Sequence, residues 1–421
     1  MDGGSKPALL AAADPLCEEV GKVHRKCIFG GASGKENKMN RLFISLITLC
    51  LSFSAGAQSG SLRTGADQMD VLLPKLMGKR VALMVNQTSI VGKRHLADTL
   101  KASGVNIVKV LGPEHGFRGK ADAGETVSDG IDAKSGLKVV SLYGKNYKAT
   151  PEQLADVDLV VFDIQDVGTR FYTYISSLHY LMEACGENNV SLLVLDRPNP
   201  NGSYVDGPVL QPAFKSFVGM HPIPVVHGMT IGEYAQMING EKWLKNGIAC
   251  KLEVLKLKNW KHSDTYLLPI YPSPNLPNNH GVLLYPSTCF FEGTALSLGR
   301  GTRNPFELIG HPDLRQYKFS FTPVSIDTMA KTPPLQDKLC FGVDLRKAKV
   351  EKRIMLQYLI DMYKAFPDKE NFFIPYFEKL AGTAELREQI KKGMSAAAIR
   401  ETWKPGLDAF KVTRKKYLLY P

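Results

Sequence analysis

From residue 80 to residue 257 this chain alternates short, unbroken apolar segments with helix-length amphipathic stretches, and that rhythm limits its fold more than any other feature. Arg80-Val81-Ala82-Leu83-Met84-Val85, Ile107-Val108-Lys109-Val110-Leu111, Leu137-Lys138-Val139-Val140-Ser141-Leu142, Asp158-Leu159-Val160-Val161-Phe162-Asp163, Ser191-Leu192-Leu193-Val194-Leu195-Asp196 and residues 251–257 read as strands. Strands apolar along their whole length are buried on both faces, as in a parallel sheet covered by helices on each side. Helical patterns at 95–102, 174–185 and 231–238 supply that cover. The expected architecture is α/β, a Rossmann-like, mostly parallel sheet domain. Thr230-Ile231-Gly232-Glu233 has capping-box spacing, so Glu233 is read as a helix cap rather than a catalyst.

The prolines at 269, 272, 274 and 277 interrupt the alternation. They divide the expected Rossmann-like domain, 65–265, from a smaller α+β C-terminal domain, 266–421, which carries an amphipathic helix at 351–365 and helical patterns at 385–391 and 396–403. Upstream, Met39-Asn40-Arg41, the apolar run 42–53 and Ala55-Gly56-Ala57 read as a secretory signal spanning 39–57. The apolar run is too short for a permanent membrane anchor. Met39 is the expected start, with 1–38 an upstream extension, and the mature chain is expected to be periplasmic or secreted. Beyond the signal stand Cys185, Cys250, Cys289 and Cys340, with no C-x-x-C spacing. They are read as small core residues rather than zinc ligands, and one disulfide is compatible with an oxidising compartment.

The formal charge is +12, of which +10 falls beyond residue 57. Such an excess suits an anionic partner. Nucleic acid is set aside, because the chain is read as exported and has no recognisable binding module. No G-x-G-x-x-G joins a strand to a helix; Gly299-Arg300-Gly301 has only its first two glycines. There is also no H-E-x-x-H and no G-x-S-x-G. No nucleotide, metal or other cofactor is therefore expected, and serine-based hydrolysis is disfavoured.

Chemistry is expected at the carboxyl ends of the strands, where loops present polar groups from a rigid base. Asn86 and Gln87 follow the first strand, Glu114 and His115 the second, and Tyr143 the third. Asp163, Gln165, Asp166 and Arg170 follow the fourth, and Asp196, Arg197, Asn199 and Asn201 the fifth. Gly112-Pro113-Glu114-His115-Gly116-Phe117-Arg118-Gly119 is the richest of these segments. Glu114 is the expected general acid. A general acid must carry its proton near neutral pH, which an ion pair with Arg118 would oppose, so Arg118 is expected to hold an anionic substrate group instead. His115 is read as orienting Glu114 or binding substrate, and Asp163, Gln165, Arg170, Tyr172 and Asn199 as further substrate contacts. In the second half, Arg300 and Arg303 in a glycine-rich loop form a candidate carboxylate clamp, and Glu292 a second site carboxylate.

These segments resemble the NamZ-type exo-β-N-acetylmuramidases. The likeness rests on Gly112 to Gly119, on Phe162-Asp163-Ile164-Gln165-Asp166-Val167-Gly168-Thr169-Arg170-Phe171-Tyr172-Thr173-Tyr174, on Asp196-Arg197-Pro198-Asn199-Pro200, and on Glu292-Gly293-Thr294 with Gly299-Arg300-Gly301-Thr302. The resemblance covers residues 65–421. It implies a Rossmann-like domain and a smaller C-terminal domain with the site in the cleft between them, and removal of non-reducing terminal N-acetylmuramic acid from peptidoglycan fragments. Glu114 corresponds to the family's proposed catalytic glutamate. The second group is left open among Asp166, Asp163, Glu292 and the substrate's own acetamido oxygen. A non-catalytic cell-wall-sugar binder on the same scaffold is the alternative.

Overall fold

The computed structural model describes residues 60–119, 129–144 and 146–421, and these lie in one compact unit. The signal-like segment 39–57 and the preceding residues lie outside the described residues.

The first half runs α1 (Met69–Leu76), β1 (Val81–Val85), a small hairpin of β2 (Ile90–Val91) and β3 (Arg94–His95), α2 (Leu96–Ala102) and β4 (Ile107–Gly112). It continues through β5 (Gly130–Ile131), β6 (Lys138–Ser141), α3 (Pro151–Leu154), β7 (Leu159–Asp163), α4 (Tyr174–Glu187), β8 (Ser191–Leu195), α5 (Ile231–Gly240) and β9 (Lys251–Leu255). Seven strands form one sheet in the order β5-β6-β4-β1-β7-β8-β9. Every pairing in it is parallel except β5 with β6. Without the edge strand β5, the order is that of a doubly wound dinucleotide-type sheet, whose ligand crevice opens where the chain reverses direction, here between β1 and β7.

Side-chain alternation explains why the strands are apolar throughout. Val81, Leu83 and Val85 enter a cluster with Leu72, Leu76, Leu96 and Leu100 of α1 and α2. Ala82 and Met84 point the other way, into the larger core that includes Leu178 of α4 and Tyr234 and Ile238 of α5. Each such aliphatic side chain contributes roughly 1.5–3 kcal/mol by burial. The capping box opens α5: Thr230 Oγ1 accepts from Glu233 N at 3.3 Å, and Glu233 Oε2 accepts from Thr230 N at 2.9 Å.

The second half comprises α6 (Asn279–Thr288), a small antiparallel sheet of β10 (Leu308–His311), β12 (Cys340–Asp344) and β11 (Phe319–Phe321) in that spatial order, and helices α7 (Leu356–Ala365), α8 (Phe377–Ala381), α9 (Glu385–Lys391) and α10 (Ala396–Lys415). Two helices differ from expectation. α7 starts at Leu356 rather than at 351, because the backbone before it is engaged elsewhere: Ile354 N donates to Asp206 Oδ2 at 2.6 Å and Ile354 O accepts from Arg400. α10 runs past Pro405 to Lys415, because the stripe Ile399, Trp403, Leu407 and Phe410 stays buried across the proline and outweighs the lost backbone bond. All four cysteines beyond the signal are buried free thiols.

Buried polar contacts bind the halves together. Arg170, fully buried between β7 and α4, donates to the carbonyls of Pro208 (2.8 Å) and Ile223 (2.7 Å) and to those of Leu380 (2.9 Å) and Ala381 (2.7 Å) in α8. Near the far end of the chain, Tyr420 OH donates to Asp196 Oδ2 at 2.6 Å while accepting from Leu257 N at 2.9 Å. Asp196, at the carboxyl end of β8, also accepts from Thr230 Oγ1 at 2.7 Å and Gly232 N at 2.8 Å.

Candidate active site

β4 ends at Gly112, and the chain turns at once: Gly116 N donates to Pro113 O at 2.9 Å, with His115 and Gly116 both at positive φ. The turn lifts Glu114 off the sheet edge toward two other strand ends. Glu114 Oε1 accepts from Tyr143 OH at 2.9 Å, just after β6, and Oε2 accepts from Thr173 Oγ1 at 2.6 Å, just before α4. Burial and the nearby Glu114 carboxyl push the Tyr143 phenol well above its ordinary range, so it remains a proton-bearing donor. Tyr174 OH accepts from Asn86 Nδ2 at 2.8 Å, tying this wall to the end of β1.

The opposing wall comes from the second half. A short 3-10 turn, Cys289–Gly293, follows α6 and presents Glu292. Glu292 Oε1 accepts from Arg300 Nε at 2.8 Å and from Arg300 Nη2 at 2.5 Å. Arg300 is set between Gly299 at φ 86° and Gly301 at φ 80°. A Cβ on Gly301 would fall 2.5 Å from the Pro333 ring, so the glycine serves both the backbone angle and the close approach. The Arg300 guanidinium also lies 5.2 Å from the Phe306 ring centroid.

Between these walls is a cavity of about 250 Å³ that brings Glu114 and Glu292 together with His115, Thr173, Asn275 and Arg300. Its apolar surface is aromatic, with Tyr143, Phe171, Tyr172, Tyr174, Phe217, Tyr285, Phe306 and Tyr376 on the lining. Paired carboxyl groups, hydroxyl donors and flat aromatic faces form a set that can hold a sugar ring and move protons at an acetal.

Of the residues singled out in the sequence, Glu114, His115, Tyr143, Tyr172, Glu292 and Arg300 line this cavity. The others stand elsewhere. Arg118 is held by Asp98 at 2.9 Å and Asp132 at 2.7 Å, so its guanidinium braces the β4 loop against α2 instead of meeting substrate. Asp163 and Arg197 form a buried pair at 2.6 Å. Gln165 donates to the carbonyls of Asp166 and Pro198, and Asn199 to that of Met229. Arg170 is the buried carbonyl clamp described above, and burial lowers its pKa to about 9. Arg303 is exposed and off the lining. Asp166 is buried behind the wall, where Oδ2 accepts from Gly168 N at 2.6 Å and burial raises its pKa to about 7.

Thr173, Phe217, Asn275, Tyr285 and Tyr376 also line the cavity, and the sequence reading does not single them out. Thr173 and Tyr174 sat within the aromatic segment that follows β7, so the signal was present. Phe217, Asn275 and Tyr376 come from irregular segments whose approach depends on packing, and nothing local in the sequence marks them. Among the described residues no group of His, Cys, Asp and Glu could hold a metal ion, and no helix is long and apolar enough to cross a membrane.

Comparison with known proteins gives consistent matches across the described fold. Residues 81–280 match the family model described as exo-β-N-acetylmuramidase NamZ, N-terminal, and residues 283–420 match its C-terminal counterpart. A Bacillus subtilis (strain 168) protein named peptidoglycan β-N-acetylmuramidase NamZ is 40% identical over 390 residues, covering 86% of this chain and 92% of that one. A crystal structure of a DUF1343 family protein from Bacteroides fragilis superposes with a TM-score of 0.80 at 47% identity, over 86% of this chain and 99% of that one. A second DUF1343 protein from the same organism has a TM-score of 0.73 at 32% identity, with the same coverage.

Proposed function

Because the chain belongs to the exo-β-N-acetylmuramidase NamZ family, we propose that it hydrolyses the glycosidic bond of a non-reducing terminal N-acetylmuramic acid in peptidoglycan-derived glycans. The observation that carries the reading is the meeting of Glu114 and Glu292, from opposite halves of the chain, on one aromatic-lined cavity. Glycoside hydrolysis uses two carboxyl groups flanking the scissile bond. The two here keep unlike company, hydroxyl donors at Glu114 and a guanidinium at Glu292. Glu114 donates its proton to the leaving oxygen as the bond from that oxygen to the anomeric carbon breaks, and a water supplies both the oxygen that replaces it and the proton that restores Glu114. Glu292 serves the other face of the sugar. Arg300 supports the choice of substrate, since it is the arginine on the lining and muramic acid carries a lactyl carboxylate.

Glu114→Gln is expected to lower release of N-acetylmuramic acid by about 10²–10⁴-fold while leaving thermal stability and sugar binding close to wild type. Wild-type turnover in that variant would reject Glu114 as the acid. Tight binding of a chromogenic muramide by the unmodified protein without any turnover would favour a cell-wall-sugar binder instead.

For the site of action we propose the periplasm or the outside of the cell, on the reading of the segment 39–57 as an export signal. N-terminal sequencing of the exported protein is expected to begin at Gln58, and a mature start before Met39 would overturn it.

A further inference from the structure

A second cavity, of about 440 Å³, adjoins the first, and Glu292, Arg300 and Tyr376 line both. Its character is different. Leu296, Leu298, Pro333, Pro334 and Ile374 line it together with Thr294 and Thr332, which makes it more apolar than the first, and Ile374 is 39% exposed. None of Glu114, His115, Tyr143 or Thr173 lines it.

That last point decides what can enter. A leaving sugar is attached through the oxygen that Glu114 protonates, so it must lie beside Glu114. A chamber that touches the site only through Glu292, Arg300 and Tyr376 receives a substituent from another part of the ring. Its surface also suits a peptide, since the Leu, Ile and Pro side chains can cover methyl groups while Thr294 and Thr332 stand beside them for amide groups. On an N-acetylmuramic acid ring the substituent that fits is the lactyl ether, carrying a peptide on its carboxyl.

Resting on the muramidase reading above, we propose that this second cavity is a subsite for a short peptide amide-linked to the lactyl carboxyl, beginning with a small apolar residue. Arg300 stands at the junction of the two cavities. Its Nε and Nη2 hold Glu292, which fixes the guanidinium where a lactyl carboxylate or amide carbonyl passes from one cavity into the other. The enzyme therefore accepts peptide-bearing as well as bare muramic acid.

The test uses the full chain and two nitrophenyl muramides, one with a free lactyl carboxylate and one with that carboxyl amidated by L-alanyl-D-isoglutamine. Thr332→Trp and Ile374→Asp obstruct or charge the second cavity at exposed positions, outside the catalytic machinery. Each is expected to lower kcat/KM on the peptidyl substrate by about tenfold or more and to leave the bare muramide within about twofold. The retained activity on the bare substrate also reports that the variants fold. The subsite is overturned by equal losses on both substrates, by no loss on the peptidyl one, or by a wild-type enzyme that cleaves only the bare muramide. A selective loss on a disaccharide with an N-acetylglucosamine leaving group would assign the cavity to that sugar and overturn it as well. If the wild type cleaves neither muramide, the muramidase reading itself falls and takes the subsite with it.

Discussion

Asp166 shows how a carboxylate beside an active site can influence the protein without touching substrate. It is buried behind the Tyr172 wall, with Oδ1 lacking any hydrogen-bond partner, and His227 lies 3.8 Å away. Burial drives the His227 imidazole down to about 3, so it is neutral and does not offset a charge on Asp166. The same burial raises Asp166 to about 7 from an ordinary 3.8. Between those two values the native state binds a proton that the unfolded chain has released, so this group makes stability fall as pH rises through that window. The slope is about 1.4 kcal/mol per pH unit, absent below the unfolded pKa and levelling off above the folded one. Asp166→Asn should remove it. In urea titrations the variant is expected to gain on wild type between pH 5 and pH 8, and an unchanged difference across that range would show that Asp166 is not protonated in the fold.

At the scale of elements, the site depends on turns more than on helices and strands. Gly301→Ala would force a methyl to within 2.5 Å of the Pro333 ring at a φ of 80°, which only displacement of the Arg300 loop relieves. A shift of that kind near the reacting groups is expected to cost about a hundredfold in kcat/KM on a muramide. Wild-type kinetics in Gly301→Ala would mean that Arg300 does not need its present position. The turns also explain what was legible in the sequence. The parallel strands, α4 and α5 could be read because their apolar periodicity is local, and Glu114 because its loop directly follows a strand. The small sheet of β10, β11 and β12 went unread, since Phe319–Phe321 and its partners are short and half-exposed. Arg170 reads as a ligand-binding arginine because a guanidinium in the loop after a parallel strand has the same sequence signature in either role. Only the carbonyls of residues 208, 223, 380 and 381 show that its partners are backbone, and no local pattern reports such distant approaches.

Across the whole molecule, the halves matched by separate family models do not pack as independent bodies. Asp206, preceding α5 in sequence, accepts at both oxygens from Nη1 of Arg400 in α10 and also takes the backbone N–H of Ile354, while Arg170 reaches across to α8. The action proposed for Glu114 and Glu292 on one acetal requires this rigidity, because carboxyl groups in that role must keep a set separation. The bond from Tyr420 to Asp196 extends the same logic to the order in which the chain is made. Asp196 closes β8, yet one of its hydrogen-bond donors is supplied more than two hundred residues later. A ribosome-bound chain that has completed every strand of the large sheet still holds that buried carboxylate without its phenol. The hydrogen-bond set of that carboxylate is thereby completed only when synthesis reaches the far end. For the export proposed above, such a delay would help to keep the chain in a state that can still be threaded.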